Sequence, residues 1–192
     1  NSVVLSATHT HNSAETYTDP ELGKKLGRLG LDVPEAWSAW GVDVGVMSPS
    51  EYTEFVATRV AQAIGQAWNR RRRGGVSFGL GHAVVGHNRL TAYADGRSAM
   101  YGSTERPDFS HVEGYEDHSV NLLYTWDADR KLTGVVVNLA CPSQVGAGSR
   151  ISADFWHETR NELRNRFGQS LFVLPQCSAA GDQSPSVLVD KK

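Results

Sequence analysis

Apolar positions along the chain switch period several times, and each switch marks an element. Residues 2–8 are apolar, partly β-branched and alternating, which predicts a strand running into the histidine pair His9 and His11. From Ser48 the period becomes helical. Ser48-Pro49-Ser50-Glu51 supplies a cap serine, a proline at the first helical position and a glutamate three residues after the cap. Tyr52, Phe55, Val56, Val60, Ala63, Ile64, Ala67 and Trp68 follow at i, i+3, i+4 spacing, and the arginines from 70 to 73 with Gly74-Gly75 stop the helix. Residues 76–85 return to a strand, with Gly79 and Gly81 permitting close backbone approach or a bulge. Residues 119–126 and 132–140 flank a five-residue polar loop and predict a β-hairpin whose second strand, with Val135-Val136-Val137, is buried on both faces. Ser152 or Asp154 then caps a second helix ending at Phe167 before Gly168. Residues 171–174 read as a buried strand halted by Pro175. Strands and helices alternate, so the predicted class is α/β: a mixed β-sheet flanked by helices in a single domain.

Two stretches carry weaker patterns. Residues 12–47 are punctuated by Asp19-Pro20, Gly23, Gly27, Gly30 and Pro34, and read as a long, partly ordered surface excursion. Residues 90–115 read as variable, with turn signals at Asp95-Gly96 and Arg106-Pro107.

Composition narrows the function classes. The 192 residues are 40% apolar, enough for a core, and 19 basic against 21 acidic residues create no field that would attract polyphosphate, so nucleic acid is not an expected partner. No apolar run approaches the roughly 20 residues of a membrane-spanning helix, and no signal peptide is visible. The chain opens without methionine inside a strand-like run, so the expectation is one catalytic domain over 1–192, incomplete at both ends, with the remainder of the polypeptide C-terminal to Lys192 as a structural partner. Cys141 and Cys177 read as buried thiols, with a disulfide or metal ligation as the alternatives. The arginine run reads as a solvated helix end and receives no function.

Chemistry-bearing residues fall repeatedly at strand ends: His9 and His11, then Asn88-Arg89, then Cys141, then 182–184. In an α/β sheet such ends converge on one edge, where ligand crevices form. Two imidazoles one residue apart can seed a metal or proton-transfer centre. Gly181-Asp182-Gln183-Ser184-Pro185 is by itself an ordinary turn composition that presents a serine beside a carboxylate. Among the other histidines, His118 follows Glu116-Asp117, which could orient its ring; His157 is expected exposed on the second helix, His82 packed, and His87 beside Arg89.

Taken together, Ser-Ala-Thr-His-Thr-His-Asn-Ser (6–13), Gly-His-Asn-Arg (86–89), Ile-Ser-Ala-Asp (151–154) and Gly-Asp-Gln-Ser-Pro (181–185) resemble, in order, segments of the neutral ceramidase family. The histidine pair and the last loop stand roughly 170 residues apart. The resemblance implies a zinc-dependent amidohydrolase that cleaves the N-acyl bond of a lipid-like amide, with possible membrane-surface contact and a secreted or periplasmic setting. It places His9 as a zinc ligand with His11 beside it, Arg89 on the developing oxyanion, and Ser184 as nucleophile or substrate-positioning hydroxyl. Zinc in such a site lowers the pKa of a bound hydroxyl and polarises the carbonyl, while a guanidinium stabilises the oxyanion. The chain departs from the family pattern where a second zinc histidine is expected: it has Ala140-Cys141-Pro142-Ser143, with Pro142 in the ligand position. The family's glutamate and tyrosine ligands would fall beyond Lys192. The alternative implied is a non-catalytic member of the fold that binds a lipid or glycan.

Overall fold

The computed structural model describes residues 3–14, 16, 28, 47–146, 148 and 150–189. By contact, Asn1–Asn12 and Arg73–Lys192 form one compact unit and Ser13–Arg72 a second. The second unit contributes helix α1 (Pro49–Asn69), formed as its capping residues dictate. Ser48 Oγ accepts from the Glu51 amide at 3.3 Å, and Glu51 accepts in return from the Ser48 amide at 2.8 Å. Most of the excursion read over 12–47 lies outside the described residues.

Among the described residues the first unit has nine strands: β1 (Gly75–His82), β2 (His87–Asn88), β3 (Leu90–Tyr93), β4 (Ser98–Met100), β5 (Phe109–Val112), β6 (Ser119–Trp126), β7 (Leu132–Leu139), β8 (Phe172–Cys177) and β9 (Gln183–Ser184), with helix α2 (Phe155–Phe167) between β7 and β8. The main sheet has the order β1-β6-β7-β8, antiparallel except for the parallel β7–β8 pair. That mixed sheet makes the unit α/β, as the alternation of elements predicts.

One face of this sheet holds the core. Val135, Val137 and Leu139 from β7 pack with Leu171 and Val173, and Trp156 of α2 closes the layer at 1% exposure. Leu122 and Tyr124 of β6 lie on the same face, opposite Gly79 and Ser77 of β1. A Cβ on Gly79 would stand 3.0 Å from the Tyr124 ring, so the glycine makes room for it.

Four sequence expectations are corrected. Residues 3–8 form no strand, and Val3, Val4 and Leu5 are exposed. Their neighbours pair instead with a loop: Ser143 donates from its amide to the Thr8 carbonyl at 3.2 Å, and the His11 amide donates to the Ser143 carbonyl at 3.1 Å. Pro175 does not halt β8, which runs through it in register with Val137. β8 is an edge strand, where a missing N–H interrupts no ladder on the open side. Residues 90–112, read as variable, carry the three-stranded sheet β4-β3-β5, turned at Gly96 with φ of 81°. His82, expected packed, is exposed at the end of edge strand β1.

Candidate active site

Two short strands do the positioning. β2 pairs antiparallel with β9, setting His87 opposite Ser184 and Asn88 opposite Gln183. Directly opposed residues project to the same face, so His87 and Ser184 share one side and Asn88 and Gln183 the other. The Asn88 and Gln183 side-chain amides hydrogen-bond, both buried. Gly86 leads into β2 against the Ala140 carbonyl oxygen, which a Cβ there would strike.

Arg89 extends the pairing. Its amide donates to the Asp182 carbonyl at 3.0 Å and its Nη2 to the Gly181 carbonyl at 2.6 Å, so the guanidinium is fastened to the Gly-Asp-Gln-Ser-Pro loop. Its Nη1 donates to the Tyr101 hydroxyl at 3.2 Å, and Gln144 Nε2 donates to the same oxygen at 3.0 Å. Ser184 Oγ accepts from the Ser186 amide at 3.1 Å and is buried, at 1% exposure.

Behind β2, Glu116 gathers three groups. The Asn88 amide donates to its Oε1 at 2.9 Å, His118 Nε2 lies 2.9 Å from its Oε2, and His87 Nδ1 lies 3.4 Å from that same oxygen. Burial alone would raise the Glu116 pKa, but the Asn88 and His118 hydrogen bonds and the two imidazoles more than offset it and hold the carboxyl below its usual value.

The histidine pair sits elsewhere in the network. The His9 and His11 rings are 5.2 Å apart between centroids and both residues are exposed; His9 adopts φ of 54°. The segment is fastened at Ser143, at Ser152 by Thr10 Oγ1 (3.0 Å), and at Gly148 by Asn12 Nδ2 (2.9 Å). Among the described residues no hydrogen bond joins either imidazole to Arg89 or Ser184. The nearest connection is sequential: Ser143 holds His11, and the next residue, Gln144, holds Tyr101. A cleft of about 600 Å³ lies beside this segment, lined by Val145, Gly146, Ile151, Asp154 and His157, and includes neither Arg89 nor Ser184.

The donor set does not complete a zinc site. Among the described residues no three His, Cys, Asp or Glu side chains gather to hold a metal ion. Structural zinc takes four ligands and catalytic zinc three plus water, so two exposed imidazoles fall short. Cys141 does not fill the place left by Pro142. Its thiol donates to the Val85 carbonyl at 3.6 Å, and burial pushes its pKa to about 11, which disfavours the thiolate that binds metal. Cys177 is likewise a free thiol.

Tyr101 and Gln144 are site residues that the sequence did not single out; Asn88 and Gln183 stood in the motifs without a role, and Glu116 does orient His118, as its place in the sequence suggested. Gln183 occupies the variable position of the loop motif. Tyr101 lies in the stretch that read as variable, with only the following Gly102 as a turn signal. Three buried amide oxygens, on Asn12, Gln144 and Gln183, have no hydrogen-bond partner.

The fold is of the ceramidase type. Two solved structures share it: a neutral ceramidase from Pseudomonas aeruginosa, at 17% identity and a TM-score of 0.53 over 73% of this chain, and a ceramidase complexed with C2, at 17% identity and a TM-score of 0.60 over 94%. The chain spans 22% and 25% of their lengths. No family model and no curated protein matches it.

Proposed function

We propose that this chain carries part of the catalytic centre of an amide hydrolase of the ceramidase type, acting on an N-acyl bond in a lipid-like substrate. The observation that supports it is the β2–β9 pairing: it fastens Arg89 to the loop that bears Ser184, the pair whose roles in oxyanion binding and acyl transfer the sequence motifs imply. A guanidinium placed at a developing oxyanion contributes on the order of 10²–10³ in rate. His9 and His11 would supply two donors to zinc, and the others would come from polypeptide outside these 192 residues. A secreted or periplasmic setting and contact with a membrane surface belong to the same proposal.

The test is hydrolysis of N-acyl sphingoid and simpler N-acyl amides by the full-length protein, with Arg89→Gln and Ser184→Ala beside it. The expected result is turnover that each variant lowers by roughly 10²-fold or more, and metal content that falls in His9→Ala. Unchanged turnover in both variants sinks the proposal. A second reading is favoured by one observation, the burial of Ser184: a non-catalytic relative that holds a lipid or glycan. It predicts saturable binding of the same amide without turnover and without stoichiometric metal.

A further inference from the structure

Side chains from three separate parts of the chain meet at the phenol of Tyr101. Arg89 and Gln144 donate to its oxygen at 3.2 and 3.0 Å, Arg89 also donates to the Gly181 carbonyl of the loop that carries Ser184, and the Ser184 hydroxyl lies near enough to act on the ionisation of the phenol. The Arg89 guanidinium carbon also lies 5.6 Å from the ring centroid. The backbone is held too: the Tyr101 amide donates to the Arg89 carbonyl at 2.7 Å, so main chain and side chain both tie to one residue. Tyr101 adopts φ of 56°, the left-handed region that a residue with a Cβ enters only at a cost in strain. Such a conformation persists only where its surroundings enforce it. Ser184 is 1% exposed and Tyr101 44%, so of the two residues Tyr101 is the one that reaches solvent.

We propose that Tyr101 is the proton-transfer residue for Ser184, with Arg89 and Gln144 holding its oxygen in place. The proposal rests on the acyl-transfer reading above and adds a group to it. As Oγ of Ser184 bonds to the amide carbonyl carbon, the Tyr101 phenolate takes the hydroxyl proton. As the C–N bond breaks, the phenol returns that proton to the departing nitrogen. Water then adds to the ester carbon, losing a proton to Tyr101, and the C–Oγ bond breaks with the proton passing back to Ser184. Amide and water are the only reactants. Burial alone would raise the phenol pKa, yet hydrogen bonds from Ser184, Arg89 and Gln144 and the charge of Arg89 more than offset it and hold the pKa below its ordinary value.

The decisive experiment labels Ser184 with a fluorophosphonate, a reagent that reads serine nucleophilicity without a natural substrate. Labelling is expected at Ser184 in the full-length protein, slowed about 10²-fold or more in Tyr101→Phe. A tyrosinate difference titration accompanies it. One of the six phenols should ionise below the rest, disappear in Tyr101→Phe, and move upward in Arg89→Gln. No labelling at Ser184, an equal rate in Tyr101→Phe, or a titration indifferent to both variants overturns the proposal. Labelling as expected with no amide turnover would instead sink the amidase assignment while leaving the Tyr101–Ser184 pair standing.

Discussion

Glu116 shows how one carboxylate can organise a site without touching a substrate. It accepts from the Asn88 amide and draws two imidazoles together, and Asn88 precedes the arginine fastened to the serine loop. Its carboxyl pKa is lowered in the folded chain, so ionisation favours folding: the contribution is present above the unfolded value of about 4.3 and is lost as pH falls through the lower folded value. Glu116→Gln is therefore expected to flatten the fall of the urea midpoint below about pH 5. Glu116→Ala should cost a further ~1–3 kcal/mol, because the buried Asn88 amide then lacks an acceptor. Parallel pH profiles for the native chain and Glu116→Gln would show that the carboxylate contributes nothing through its charge.

Elements differ in how far the sequence discloses them, and the difference follows the range of the forces that shape them. Helix α1 was legible because its capping box is local: Ser48 and Glu51 satisfy each other three residues apart. The β6–β7 hairpin and α2 were legible for the same reason. The segment 3–8 has strand composition, but a strand exists only where a partner does, and its neighbours are held by Ser143 instead. Pro175 read as a stop because its place on an edge cannot be seen before the sheet order is known. Packing adds a test that no pattern supplies. Trp156 is the large buried side chain of α2 against β7 and β8, yet its indole N–H has no hydrogen-bond partner. Trp156→Phe removes that stranded donor together with some volume, so the two effects oppose. Its expected cost is below about 2 kcal/mol, against about 3–5 for Trp156→Ala. Equal urea midpoints for the two variants would contradict that compensation.

At the scale of the whole unit, the two-residue strands β2 and β9 do what no local signal announces: they join segments 95 residues apart at Asn88 and Gln183. Motif order suggested that Arg89 and Ser184 converge; Tyr101, and the tie of Glu116 to Asn88, became visible only with the fold, because each acts through partners distant in sequence. The same sheet leaves a feature that the alternation of β1 encodes. Val76, Phe78 and Leu80 project away from the core, with Phe78 at 77% exposure, and their row continues through β6 and β7 to exposed Phe172 and Leu174 of β8. Isolated exposed apolar residues are ordinary, but the line Phe78-Leu123-Val136-Leu174 is apolar across all four strands, exposed at both edges and half-buried between them. Such a face should bind an apolar dye. Phe78→Ser is expected to lower dye fluorescence at least severalfold while shifting the urea midpoint little, since a side chain that far exposed contributes little burial to folding. Fluorescence unchanged in Phe78→Ser would place the dye elsewhere. A large loss of stability would mean that Phe78 is covered in solution.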